Sequence, residues 1–275
     1  MTVELVCTDV DGTIVATVYP KTEISQRTLD AIKGVCAQGI KFIIASGRPL
    51  RTMLPVAEQL DYDGIMICLN GAMIYDYQKK LELYSISMTP SIVTELIIDS
   101  LRIFGSHVGF GIESGNTFLC DKKYFSLREL HINHEYGLFE NPVEMSKAVE
   151  KAEKLIIIHE TLSSAELYPQ LLDHFGDSEW QSKIRISLGH PRFIDISAAG
   201  VTKGVALKRM CEDLNILPEN VVSFGNMLND TEMLHYAGRG IAVADAHPLL
   251  LDKADEITDT CENDGVAMVL ENILR

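Results

Sequence analysis

Short apolar runs alternate with amphipathic stretches along this chain. Residues 3–7 read as a buried strand, Leu29, Ile32 and Cys36 recur at helical spacing, and 42–45 and 65–69 are again runs of strand length. Strand and helix in alternation predict an α/β fold: a doubly wound, mostly parallel sheet with helices on its faces. The pattern resumes toward the other end with 194–196, a helical face of Leu207, Met210, Cys211 and Leu214, and the runs 221–224 and 241–244. Both ends are therefore expected in one sheet. Between them come a helical stretch at 91–103 and short strand-like runs near 108–112, 117–120, 154–159 and 184–188. This middle reads as an inserted α+β domain at 83–188, with the core formed by 1–82 and 189–275.

Composition narrows the class. A chain of 275 residues that is 47% hydrophobic can bury one large core or two modest ones. No run approaches the ~18 to 20 apolar residues of a membrane span, and the start lacks a basic-then-apolar leader pattern, so the cytoplasm is the expected compartment. The six cysteines are scattered without a C-x-x-C pair, and most lie in apolar runs as small core residues. A net charge of −15 makes nucleic acid and anionic membranes poor partners, and a phosphorylated small molecule would need a locally positive pocket. A monomer or homodimer is expected.

Ligands of an open parallel sheet bind beyond the carboxyl ends of its strands, and there the chain places its unusual residues. The first run ends in Thr8-Asp9-Val10-Asp11-Gly12-Thr13. Two carboxylates two residues apart project to one side if strand geometry persists, and Gly12 lets the backbone turn and offer amides to an anion. Asp9 could attack phosphorus while Asp11 handles protons; the plainer alternative is a strand-ending turn. Ser46-Gly47-Arg48-Pro49 follows the second run, where a hydroxyl and helix N-terminal amides could hold phosphate oxygens, or Ser46 could simply cap a helix. Asn70-Gly71 and Asp245 end two further runs. Thr202-Lys203-Gly204 opens a helix, and a lysine at that positive end wants an anion facing it; an ordinary solvated side chain is the alternative. Residues 225–230 offer Asn226, Asn229 and Asp230, oxygen donors suited to Mg2+, although Asn229 and Glu232 also have the spacing of a capping box.

Taken together, Asp9-Val10-Asp11-Gly12-Thr13, Ser46-Gly47-Arg48, Asn70-Gly71-Ala72, Thr202-Lys203-Gly204, 225–230 and Asp264-Gly265-Val266-Ala267 resemble the haloacid dehalogenase superfamily, in particular its Cof-like hydrolases. The insertion falls where that family carries a C2-type cap, of the C2B kind. The resemblance implies an Mg2+-dependent phosphatase acting on a small phosphomonoester, with a sugar phosphate favoured and pyridoxal phosphate or flavin mononucleotide as rivals. It implies Asp9 as the nucleophile forming an aspartyl-phosphate and Asp11 as the acid and base. Gly12, Ser46, Gly47, Lys203 and Asn229 would hold phosphate. Mg2+ would be held by the Asp9 carboxylate, the Asp11 backbone carbonyl and the motif containing Asn226 and Asp230. The family usually has Asp where this chain has Asn226, which implies weaker metal binding or a larger share for Asp230.

An ion-pumping ATPase would need membrane spans, and a dinucleotide-binding enzyme would need G-x-G-x-x-G after the first strand; Gly109-Phe110-Gly111 is only an isolated fragment of it. A phosphomutase, or a weakly active protein that senses a phosphorylated metabolite, shares every core residue and stays open. His131 and His134 lack matched metal partners and read as cap surface, and Tyr124, Phe125, Tyr136 and Phe139 read as lining or core of the insert.

Overall fold

The computed structural model describes residues 2–16, 23–61, 64–128 and 136–275. The chain divides into two compact units, Met1–Tyr84 with Thr202–Arg275, and Ser85–Val201. Its first stretch runs β1 (Leu5–Asp9), α1 (Gln26–Ala37), β2 (Lys41–Ala45), α2 (Leu50–Leu60), β3 (Ile65–Cys68), β4 (Met73–Asp76) and β5 (Leu81–Ser85). The insert follows as α3 (Pro90–Phe104), β6 (Val108–Ser114), β7 (Thr117–Asp121), α4 (Lys122–Arg128), β8 (Tyr136–Phe139), α5 (Pro142–Lys147), β9 (Lys154–His159), α6 (Ser164–Phe175), α7 (Ser178–Gln181), β10 (Ile184–His190) and β11 (Phe193–Ala198). The chain returns as α8 (Lys203–Leu214), β12 (Val221–Gly225), α9 (Thr231–Tyr236), β13 (Arg239–Val243), α10 (Pro248–Leu251), β14 (Glu256–Thr258) and α11 (Gly265–Ile273).

The first unit is built on one sheet of order β14-β13-β12-β1-β2-β3-β4-β5. From β14 to β3 every neighbouring pair is parallel, and β4 returns antiparallel on β3. This is the doubly wound α/β core that the alternating pattern predicts. Every residue of β1 is buried, which is why it reads as a continuous apolar run and not as an alternation. Strand order reverses at β1: later strands add outward through β2 and β3 on one side and through β12 to β14 on the other. The carboxyl end of β1 is therefore the topological switch point, where such sheets bind ligands.

Helix α1 starts at Ser25, whose hydroxyl accepts from the Thr28 amide, and buries Thr28, Ala31, Ile32 and Val35. Cys36 lies outside that face and is exposed, whereas the other five cysteines are buried. Among the described residues no helix is long and apolar enough to cross a membrane.

The second unit holds a sheet of order β10-β11-β9-β6-β7-β8, antiparallel except for β7 and β8. It contains one departure from the expected layout. Residues 194–196, assigned above to the core sheet, lie in β11 between β10 and β9 of the insert, and the unit runs to Val201. Three residues of strand pattern carry no mark of which sheet they join, and no linker composition separates the two.

Helix α4 lies close against β6. A Cβ on Gly109 would stand 2.3 Å from the Tyr124 amide nitrogen, and one on Gly111 would stand 2.7 Å from the Phe118 ring. Asp121 Oδ1 fixes the helix by accepting from the Tyr124 amide at 2.7 Å and the Phe110 amide at 3.1 Å. Tyr124 joins Phe118, Cys120, Ile156 and Ile158 in a buried cluster, with Phe125 packed at its edge. Phe139 is half-buried, while His131, His134 and the Tyr136 side chain lie outside the described residues. Gly109→Ala is expected to force α4 off the sheet and destabilise the protein by about 1–3 kcal/mol. Urea unfolding with an unchanged midpoint would contradict this close approach.

Candidate active site

Asp9 is the last residue of β1, and it is buried. Its Oδ1 accepts from Lys203 Nζ at 2.5 Å and its Oδ2 from the Thr13 hydroxyl at 3.0 Å. Lys203 is the first residue of α8, capped by Thr202, and it is 1% exposed. Its ammonium also donates to Asp230 Oδ1 at 2.6 Å. It is thus no solvated side chain: two carboxylates face the positive helix end and offset its burial. Burial pushes the Asp9 carboxyl up to about 7, the Asp230 charge adds to the rise, and Lys203 opposes it.

Asp11 is partly exposed, and both its oxygens are engaged from the loop after β2. Arg48 grips it with two guanidinium nitrogens, Nε at 2.8 Å to Oδ2 and Nη2 to Oδ1, and the Ser46 hydroxyl donates to Oδ2 at 3.3 Å. Ser46 Oγ in turn accepts from the Arg48 amide at 3.2 Å. Helix α2 begins after Pro49 with no side-chain cap, so Ser46 does not serve it as a cap. Gly47 lies against Asn70, whose Oδ1 accepts from Asn229 Nδ2 at 2.9 Å. The Asn70 amide donates to the Ser46 carbonyl at 2.9 Å. Loops after β1, β2, β3 and β12 therefore meet at the switch point.

The N-cap of α9 is Asp230, the residue after Asn229. Ahead of it the amides of Asn226 and Met227 donate to Asp230 Oδ2, each at 3.0 Å. Asp230 is wholly buried between these amides and Lys203. Its carboxylate orients the lysine and the loop. Gly12 has φ +77, and a Cβ there would stand 2.2 Å from Asn226 Nδ2, so both backbone and space demand glycine. Among the described residues no three His, Cys, Asp or Glu side chains gather as a metal site. A hard cation nonetheless fits the donor set: Asn226 Oδ1 is buried without a hydrogen-bond partner, beside the loop that carries Asp9 and Asp11. Asp9, Asn226 and the Asp11 backbone are the oxygens such an ion would take, with Asp230 behind them.

The model of the haloacid dehalogenase-like hydrolase family matches residues 6–270. The chain belongs to that family. Among its relatives, the 5-amino-6-(5-phospho-D-ribitylamino)uracil phosphatase YcsE of Bacillus subtilis is 25% identical, over 98% of this chain and 95% of that protein. The pyridoxal phosphate phosphatase YbhA of Escherichia coli is also 25% identical, over 98% of each chain. The crystal structure of TM0651 from Thermotoga maritima superposes with a TM-score of 0.80 at 25% identity, covering 98% of this chain and 97% of that one.

Asp9, Asp11, Gly12, Ser46, Gly47, Asn226, Asn229 and Asp230 meet here together with Lys203 at the start of α8, whereas Asp264 of the last motif lies at the start of α1, where it accepts from the Ser25 and Thr28 hydroxyls. Arg48 and Asn70 carry no role that the sequence alone assigns, and the structure gives them one: they bind Asp11 and Asn229 across loops. The available signal was their position directly after the Ser-Gly and strand-ending turns. Thr13, four residues from Asp9, was marked only by the hydroxyl of its motif.

Two consequences can be measured. Lys203→Met leaves Asp9 and Asp230 buried without a cation and is expected to cost about 3–5 kcal/mol of stability. Adding Asp230→Asn should recover part of it, and two additive losses would show that no such coupling exists. The raised Asp9 carboxyl holds its proton more tightly folded than unfolded, so its stabilisation is full below pH 3.8 and lost as pH rises through about 7. In metal-free protein Asp9→Asn should therefore raise the unfolding free energy at pH 8, by an amount on the order of 2–4 kcal/mol, and little at pH 4. A gain that is equal at both pH values would refute the assignment.

Proposed function

We propose that this chain is an Mg2+-dependent phosphatase that hydrolyses a small phosphomonoester through an aspartyl-phosphate on Asp9. The observation that carries this reading is the buried Asp9 carboxylate, pinned by Lys203 and Thr13 at the switch point of the sheet with Asp11 two residues on. Membership of the hydrolase family and relatives that are phosphatases support it. The inserted unit would serve as the C2-type cap, and sugar phosphates lead the substrate classes.

In the first half-reaction an Asp9 oxygen attacks phosphorus, the bond from phosphorus to the leaving oxygen breaks, and Asp11 gives its proton to that oxygen. In the second, Asp11 takes a proton from water, the resulting hydroxide attacks phosphorus, and the bond to Asp9 breaks to release phosphate. Lys203 holds Asp9 in place and supplies positive charge next to the group transferred. Ser46 and Arg48, which bind Asp11 here, are a hydroxyl and a guanidinium that match phosphoryl oxygens, and a bound phosphate gives them an alternative anion. Asn229, tied to Asn70, presents its amide at the same place. Asp9, the Asp11 carbonyl and Asn226 would hold Mg2+, which would neutralise charge on the phosphoryl group.

Phosphate release from a panel of phosphomonoesters tests this directly, with and without Mg2+, on the native chain and on Asp9→Asn. Turnover should require the metal and fall about a thousandfold or more in Asp9→Asn. Retained binding of a phosphomonoester with no turnover by the native chain would favour the sensing alternative.

A further inference from the structure

The two partners of the Arg48–Asp11 ion pair are held unequally. The Arg48 side chain is only 13% exposed, and its Nη1 donates to the Thr52 carbonyl in the first turn of α2 at 3.4 Å. The backbone of the same residue is tied on both sides: its amide donates to Ser46 Oγ at 3.2 Å, and its carbonyl accepts from the Leu69 amide at 2.9 Å. Helix, serine and the loop after β3 thus fix the guanidinium, and its Nε and Nη2 face one way as a fork. The Asp11 side chain, by contrast, is 46% exposed. A planar fork with two parallel N–H groups matches a carboxylate or a phosphate equally well, and here the protein's own carboxylate fills it.

This pairing has a consequence for Asp11. Arg48 Nε donates to its Oδ2 at 2.8 Å, Nη2 donates to its Oδ1, and the Ser46 hydroxyl reaches Oδ2 at 3.3 Å. With both oxygens engaged, the carboxylate faces the arginine and cannot at the same time serve a leaving oxygen or a water. The fork also has no second pair of parallel donors for another anion. A phosphoryl group arriving at Arg48 and Ser46 therefore displaces Asp11 instead of joining it. Displacement costs little on the Asp11 side, because a carboxylate that is half in water regains hydration when the guanidinium lets go.

We infer that Asp11 and the phosphoryl group compete for Arg48, so that ligand binding itself releases Asp11 for proton transfer. The inference rests on the phosphatase reading above for the identity of the ligand, and makes Arg48 a positioning residue for Asp11. The test titrates inorganic phosphate by calorimetry, with Mg2+ present, into the native chain, Arg48→Met, Asp11→Asn and the double variant. In the native chain the guanidinium trades one anion for another, so Arg48→Met loses only the difference; in Asp11→Asn it has no rival anion, and the same change loses the whole contact. Arg48→Met should therefore weaken phosphate binding about tenfold more in the Asp11→Asn background than in the native one. Equal costs would mean that Arg48 binds both anions together, and a larger cost in the native background would mean that it only screens Asp11; either overturns the exchange. If Arg48→Met does not fold, Arg48→Lys, which keeps the charge and loses the fork, is read by the same inequality. A crystal structure of the phosphate complex is the second readout: the fork should lie on phosphate with Asp11 released, and phosphate bound beside an intact Arg48–Asp11 pair would overturn the exchange. Phosphate binding with the exchange pattern but no phosphomonoester turnover would overturn the phosphatase reading alone, and turnover with equal costs would overturn the exchange alone. No phosphate binding by either the native chain or Asp11→Asn would overturn both.

Discussion

A single ammonium group holds the switch-point end of the first unit together. Lys203 is buried between Asp9 and Asp230, and removing a lysine from water is tolerable only because both carboxylates receive it. Those three side chains come from β1, from the start of α8 and from the turn after β12, with the whole insert intervening between the first and the second. The returning half of the chain therefore completes a site that the first half cannot form alone. One cation against two carboxylates also leaves a negative balance, which burial turns into a raised Asp9 carboxyl and a readiness to take a second cation.

From that centre the remaining loops are organised by exchange of partners. Asp230 spends its second oxygen on two backbone amides, which shapes the turn that brings Asn226 over Gly12. Arg48 and Ser46 bind Asp11 from the neighbouring strand end, and Asn70 ties the third loop to Asn229. In each case an anion or an amide is held by donors that also suit phosphate, so the site is assembled before its ligand and needs little rearrangement to receive it.

The strand ends were legible because acids, glycines and asparagines interrupt an otherwise apolar pattern at the places where a parallel sheet binds ligands. Lys203 was balanced between two readings, since its burial depends on Asp9 and Asp230, residues 194 and 27 positions away. Arg48 went unassigned for the same reason: its partner Asp11 lies 37 positions back, and no local period reports such a pair. The misplaced run at 194–196 marks the other limit. Periodicity identifies a strand, but the neighbours that decide its sheet, here β9 and β10, lie elsewhere in the chain.

The two units handle buried charge in opposite ways. Around Asp9 the balance is negative and the pattern of donors is directed at one anion, which suits chemistry on a phosphoryl group. On the sheet of the insert, buried Lys154 on β9 and buried Asp195 on β11 pair at 2.8 Å and cancel. Gly109 lets the backbone of α4 approach β6, and Gly111 leaves room for the Phe118 and Tyr124 rings over the same face. The fragment Gly109-Phe110-Gly111, empty as a nucleotide signature, thus has a steric purpose: a side chain at Gly109 would meet the backbone of α4, and one at Gly111 the Phe118 ring of β7.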